Sequence, residues 1–237
     1  EKHNLVLVAR SEDKLRALRD ELAAQHGITV HFVAIDLTDF EADARLYKET
    51  EDHGLEIEWL INNAGFGSGG DFADLDLEKE LEIIDLNVSA LVALTHRYLQ
   101  KMRERKSGTI INVSSAAGFQ PLPFMATYAA TKAFVTSFSE AVAEENRPFG
   151  IHVMALCPGS TKTNFFKASD IERPIQVKGQ ETAEAVVETA MNAVRKGKTK
   201  VVSGWANYFA ATATNFVPNS LITRVVGKAL RSKHQES

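Results

Sequence analysis

Apolar and polar positions alternate in blocks along the 237-residue chain. The run Leu5-Val6-Leu7-Val8-Ala9 is apolar without alternation, as expected for a parallel strand buried on both faces. In residues 11–26 the apolar positions Leu15, Leu18 and Leu22 recur at helical spacing, and Gly27 marks a stop. Residues 30–35 read as a second strand, 40–53 as a polar helix closed by Gly54, and 59–61 as a third strand. Residues 78–104 predict one long amphipathic helix, with apolar positions at 81, 84, 88, 91, 92, 94, 98 and 99. Strands at 109–113, 151–156 and 199–202 and helices at 127–146 and 183–195 complete the pattern. Strands alternating with helices predict an α/β fold: a doubly wound parallel sheet, three layers, one domain. That domain is expected over residues 1–203, with a helical tail over 204–237. The least regular stretch, 160–180, is expected to form a lid over a site.

Composition then removes several classes. Hydrophobic residues make up 44% and charged residues 24%, an ordinary globular balance. A formal net charge of −4 with no basic cluster excludes a nucleic-acid binder. The single cysteine, Cys157, rules out an intrachain disulfide and reads as a small buried residue in a reducing compartment. The first residues lack a signal-peptide pattern, and no run approaches the ~18 apolar residues of a membrane span. The expectation is a soluble, cytoplasmic protein without a metal site. In the tail, Arg224, Lys228, Arg231 and Lys233 stand among apolar residues. That pattern fits a membrane-touching amphipathic helix or a solvated C-terminal helix.

The stretch GFGSGG, residues 65–70, has the glycine spacing of a dinucleotide-binding turn. Such a turn must pass straight from a strand into a helix, and its acidic partner must follow the next strand. Here Asp71-Phe72-Ala73-Asp74-Leu75-Asp76 opens no helix, and Asp85 falls inside a helical segment. The stretch is therefore expected to be a loop beside a ligand.

Stronger chemistry lies further on. Tyr128 and Lys132 share one helix face, and Ser115 stands just past strand 109–113, where open α/β sheets bind ligands. A tyrosine hydroxyl has a reference pKa near ~10 and needs help to act near neutrality. An ammonium within about 5 Å gives that help by favouring the phenolate. Tyr128 could then protonate a carbonyl oxygen or deprotonate an alcohol, with Ser115 donating a hydrogen bond to the same oxygen. Asn87 lies on the long helix that packs beside them.

Together these pieces resemble the short-chain dehydrogenase/reductase family in its compact, Rossmann-like form. Asn62-Asn63-Ala64-Gly65 matches the family's NNAG motif, and Gly65 thereby leaves the decoy fingerprint. Asn87 matches the tetrad asparagine, Ser115 the catalytic serine and Tyr128 to Lys132 the YxxxK motif. Pro158-Gly159-Ser160-Thr161-Lys162-Thr163 resembles PGxVxT, with Thr161 replacing the valine. The resemblance implies that Tyr128 is the acid/base and that Lys132 binds the nicotinamide ribose and lowers the Tyr128 pKa. Ser115 would hold the substrate oxygen, and Asn87 a relay water. It implies that Asp36 and Leu37 flank adenine, that Asn63 lies near the adenosine ribose, that Thr161 and Thr163 meet the carboxamide, and that Ala64, Gly65, Pro158 and Gly159 also bind the cofactor. Arg10, at the end of strand 5–9, suits the 2′-phosphate of NADP(H), with Ser11 adding a hydroxyl.

The resemblance also carries a departure. The family opens with a strand and a TGxxxGxG turn, whereas this chain opens at the equivalent of the second strand. The missing strand would lie between residues 5–9 and 59–61. Its loss would orphan buried backbone groups at about 1–3 kcal/mol each, so the natural protein is expected to carry one more strand, turn and helix upstream. The functional expectation is an NADP-dependent oxidoreductase acting on a carbonyl or secondary alcohol of a hydrophobic substrate. The alternative is a non-catalytic binding or regulatory protein of this fold that has lost its cofactor. Phe119, Pro121, Leu122, Phe124, Phe165 and Phe166 are the expected pocket lining. A homodimer or homotetramer through helices 78–104 and 127–146 is carried over from the family.

Overall fold

The computed structural model describes residues 3–163, 165, 169, 180–214 and 217–234. The chain divides into two compact units, Glu1–Ile57 and Glu58–Ser237.

In the first unit, β1 (Leu5–Ala9) pairs in parallel with β2 (Val30–Ala34). The Ile35 N–H bonds the Ala9 carbonyl at 2.9 Å and extends the ladder by one residue. Helix α1 (Glu12–His26) packs on both strands. It ends where Gly27, at φ 61°, turns left-handed and bonds its N–H to the Ala23 carbonyl. Helix α2 (Ala42–Asp52) follows, shorter than residues 40–53 because Glu41 takes a left-handed conformation just before it. Residues 5–8 of β1 are half-buried and Ala9 is exposed, so the strand is not buried on both faces as its apolar run suggested. Among the described strands β1 pairs only with β2.

The second unit holds a four-stranded parallel sheet in the order β3 (Trp59–Asn62), β4 (Gly108–Val113), β5 (Ile151–Cys157), β6 (Lys200–Val202). Ile110 and Ile111 are adjacent on β4 and face opposite sides, yet both are buried. One side packs Ile111, Met154 and Leu156 against Val186, Ala190 and Ala193 of α6 (Ala183–Arg195). Helices α4 (Leu91–Arg105) and α5 (Ala126–Asn146) also pack on these strands. Helices α7 (Trp205–Thr214) and α8 (Asn219–His234) form the tail.

The long helix expected over 78–104 is interrupted. It consists of α3 (Leu77–Ile84), a π-helical turn at Asp85–Ala90, and α4. The interruption changes the inward face. Glu80, Ile83 and Asn87 are buried, while Leu77, Leu81 and Ile84 are exposed. A single π turn inserts a residue into the helical register, so the apolar spacing of α3 does not continue that of α4. Residues 63–70 form a loop, followed by a 3-10 turn at Phe72–Asp74, and α3 starts only at its N-cap, Asp76. The glycine run therefore turns no strand into a helix.

Candidate active site

Tyr128 sits in the first turn of α5 with its side chain buried. The 3.6-residue period puts Lys132 directly behind it, and its Nζ lies 5.8 Å from the Tyr128 ring centroid. Lys132 is 5% exposed and donates one hydrogen bond from Nζ, 2.8 Å to the Val113 carbonyl at the end of β4. Burial lowers its pKa to about 8. Burial also raises the Tyr128 pKa, and the facing Ser115 hydroxyl opposes that shift. The lowered tyrosine pKa expected from the lysine is thus not seen: loss of solvent outweighs every stabilising contact of the phenolate.

The two serines after β4 divide their work. The buried Ser114 hydroxyl donates to the Lys132 carbonyl at 2.7 Å and also meets Thr136 Oγ1 at 2.7 Å. Among the described residues Ser115 Oγ accepts the Ala117 N–H, at 3.1 Å, and its own proton is left for a second partner. Ser115, not Ser114, therefore faces the tyrosine, as the spacing suggested.

Asn87 occupies the π turn and is buried. Its Nδ2 donates to the Phe66 carbonyl at 2.9 Å and to Thr131 Oγ1 at 3.1 Å, and its Oδ1 accepts the Phe66 N–H at 3.2 Å. The amide clamps loop 63–70 to α5, and both of its donors are spent. The loop runs tight against the site. A Cβ on Gly65 would stand 2.7 Å from Asn87 Oδ1 and 3.4 Å from Lys132 Nζ, and one on Gly67 would stand 3.0 Å from the Tyr128 ring. Phe165 packs on the Tyr128 ring at 5.2 Å between centroids. The Gly67 N–H bonds Ser169 Oγ at 3.0 Å, and Lys79 Nζ bonds the Ser169 carbonyl at 3.3 Å.

The match to known proteins decides the family. The model of the short chain dehydrogenase family fits residues 1–174. This chain belongs to that family of oxidoreductases. It is 34% identical over 212 residues to an uncharacterized oxidoreductase of Myxococcus xanthus, covering 88% of this chain and 80% of that protein. It is 34% identical over 195 residues to the very-long-chain 3-oxoacyl-CoA reductase of Rattus norvegicus, covering 80% of this chain but only 60% of that enzyme's length. A short-chain dehydrogenase of Sphingobium yanoikuyae solved in complex with NADPH superposes with a TM-score of 0.80 at 29% identity, covering 90% of this chain and 84% of that one.

The residues present fit the nicotinamide nucleotide of this family. Glycine at position 65 lets the loop backbone pass close to Asn87 and Lys132, where a Cβ would stand 2.7 Å from Asn87 Oδ1. The Lys132 ammonium has three donors and spends one among the described residues, so two remain that ribose hydroxyls would fit. In the first unit, Arg10 lies 3.5 Å from Asp36, whose carboxylate also accepts from Thr38 N and Oγ1. These bonds and the Arg10 charge leave the Asp36 pKa lowered although burial alone would raise it. Ser11 is the N-cap of α1, yet its hydroxyl makes no cap bond. Leu37 is half-buried, and Asn63 and Ala64 are exposed. Pro158 accepts the Ala116 N–H through its carbonyl at 2.8 Å, Thr161 Oγ1 donates to the Gly159 carbonyl at 3.1 Å, and Thr163 Oγ1 accepts from Phe165 N at 3.3 Å.

Of the expected pocket residues, Phe119, Leu122 and Phe124 are half-buried, Pro121 is exposed, and Phe166 lies outside the described residues. Phe124 is held at φ 64°, a conformation costly for an aromatic residue, and its carbonyl accepts the Gly70 N–H at 3.0 Å. Sequence reasoning missed a buried polar chain. Asn62 Nδ2 donates to Thr95 Oγ1 at 3.0 Å and Asn112 Oδ1 at 2.8 Å, and Asn112 Nδ2 donates to Ser139 Oγ at 2.9 Å. The signal was an asparagine ending or interrupting each of two apolar strands at the same register, Asn62↔Asn112.

Proposed function

We propose that this protein is an NADP-dependent reductase of hydrophobic ketones, or the corresponding alcohol dehydrogenase in reverse. The observation that carries the proposal is the buried Tyr128 hydroxyl facing Ser115 with the Lys132 ammonium behind it. A tyrosine whose pKa is raised stays protonated through the neutral range, which supports its use as an acid. Tyr128 gives its proton to the carbonyl oxygen while the Ser115 hydroxyl donates to the same oxygen. The carbonyl carbon would take up the hydride that NADPH supplies when bound. Lys132 holds the ribose with its two remaining donors and keeps positive charge beside the transient phenolate. The part of Asn87 in reprotonation falls to its main chain, because its side-chain donors hold Phe66 and Thr131.

Several observations support the finer points. Arg10 and the uncommitted Ser11 hydroxyl stand at the N-terminus of α1, a favourable place for a 2′-phosphate. By the family resemblance, Asp36 and Leu37 would flank the adenine, Asn63 would lie near the adenosine ribose, Thr161 and Thr163 would meet the carboxamide, and Ala64, Gly65, Pro158 and Gly159 would also bind the cofactor. The half-buried Phe119, Leu122 and Phe124 suit an apolar substrate. The exposed Leu77, Leu81, Ile84 and Phe134 on α3 and α5 suit a homodimer or homotetramer. A cytoplasmic location is part of the proposal; no described helix is long and apolar enough to cross a membrane.

Tryptophan fluorescence titrated with NADPH and NADH side by side tests the cofactor, and NADPH oxidation with a panel of hydrophobic ketones tests the reaction. Tyr128→Phe should bind NADPH like the wild type and turn over no ketone. A wild-type protein that binds neither nucleotide, or a Tyr128→Phe variant of undiminished activity, would refute the proposal.

A further inference from the structure

Helices α7 and α8 present an unusual surface. Trp205, Tyr208 and Phe209 of α7 are 78%, 54% and 64% exposed. They pack on each other edge-on, Trp205 to Phe209 at 6.3 Å and Tyr208 to Phe209 at 5.9 Å, instead of into a core. On α8 the exposed sector runs from Arg231 and Arg224 through Lys228 to Leu221 and Val225. A basic strip therefore borders an apolar strip. Between Trp205 and His234 the sequence holds Arg224, Lys228, Arg231 and Lys233 and no Asp or Glu, in a chain of net charge −4. Charge of one sign and exposed aromatic rings thus fall in the same stretch of chain, 205–234.

We infer that α7 and α8 form a docking face for an anionic phospholipid bilayer. Amphipathic aromatic rings settle at the boundary between headgroups and acyl chains, and cations beside them meet lipid phosphates and carboxylates. The absence of carboxylates removes the repulsion that such a surface would otherwise meet. A second copy of the chain fits this face poorly, because the same face on a two-fold partner brings no Asp or Glu from 205–234 to meet the basic strip.

The face adjoins the candidate active site. Helix α7 packs on the 3-10 turn Ala116–Phe119 that follows Ser115, and Asn207 of α7 fills the space beside Gly159. Helix α8 passes Pro123, which a Cβ on Gly227 would touch at 3.6 Å. A docked enzyme would thus hold its apolar pocket at the lipid boundary, where hydrophobic carbonyl compounds concentrate. This last step rests on the reductase proposal, whereas binding to the bilayer does not.

The test is co-sedimentation of the full chain with phosphatidylcholine vesicles, with and without phosphatidylserine, at low and high salt, alongside sedimentation velocity without lipid. Binding should require phosphatidylserine and fall at high salt. Arg224→Ala with Lys228→Ala should weaken it by about fivefold per cation removed. Phe209→Glu should abolish it, and Tyr128→Phe should bind like the wild type whether or not the enzyme proposal stands. Binding that is indifferent to phosphatidylserine or to the two cations would overturn the inference. So would a Phe209→Glu variant that keeps its vesicle binding, or a wild type that binds no vesicles and forms a dimer that Phe209→Glu dissociates.

Discussion

Replacing Lys132 by methionine should stabilise the protein while removing its activity. The side chain is 5% exposed, and burial lowers its pKa from 10.5 to about 8. A gap of ~2.5 units corresponds to about 3 kcal/mol spent in keeping the ammonium charged inside the fold. The substitution also deletes the bond to the Val113 carbonyl, a loss of about 1 kcal/mol. The net gain is about 2 kcal/mol, or roughly 4–8 °C in Tm for a chain of this size. The pH dependence has a definite sign. Below pH 8 the lysine is charged in both folded and unfolded chains, and the wild type carries the whole penalty. From about pH 8 to 10.5 the folded state has released its proton while the unfolded state still holds it, so wild-type stability rises with pH relative to the variant. Urea titrations of both proteins at a series of pH values, without nucleotide, measure the difference. A variant less stable than the wild type at neutral pH, or a difference unchanged between pH 7 and 10, would refute the buried-charge reasoning.

Other substitutions probe separate parts of the site. Gly65→Ala puts a methyl group 2.7 Å from Asn87 Oδ1, and steady-state kinetics should show at least a tenfold loss in kcat/KM with NADPH. Glu80 is 4% exposed and neither carboxylate oxygen has a hydrogen-bond partner among the described residues; Glu80→Leu should raise stability by about 1–3 kcal/mol in denaturant titration. Arg10→Glu should weaken NADPH binding by about 10–100-fold and leave NADH nearly unchanged, measured by fluorescence titration. Asn112→Leu orphans buried partners on Asn62 and Ser139 and should lower stability by about 2 kcal/mol or more.

Legibility in the sequence followed the range of the interactions. Tyr128 and Lys132 were readable because a helix period alone puts them on one face, and Ser115 because a strand end alone places it. Helix 183–195 was readable at both ends: Thr182 caps it, its side chain accepting from Ala185 N, and Gly197 lies just beyond. The π turn at Asp85–Ala90 was not readable, since no Gly or Pro marks it and only tertiary packing selects the wider turn. Leu81 and Ile84 were counted into the apolar face of one long helix, yet they are exposed while Glu80 is buried, because the period was counted through an interruption that shifts it. The bond between Gly67 and Ser169 joins residues 102 apart and left no local pattern.

Chemistry and packing explain why these polar groups lie inside at all. The proposed proton transfer needs Tyr128 dry enough to remain an acid and Lys132 charged close behind it, and each condition costs stability. The fold offsets that cost by giving nearly every other buried polar atom of the site a partner: Ser114 holds the Lys132 carbonyl, Thr131 holds Asn87, and Asn87 holds both polar groups of the Phe66 peptide. Through the Asn62–Asn112–Ser139 chain, β3 and β4 are tied to α5, the helix that carries Tyr128. A shift of α5 along β4 would break several of these bonds together, so the spacing of Tyr128 from Ser115 is set by the buried network and not by the two residues themselves.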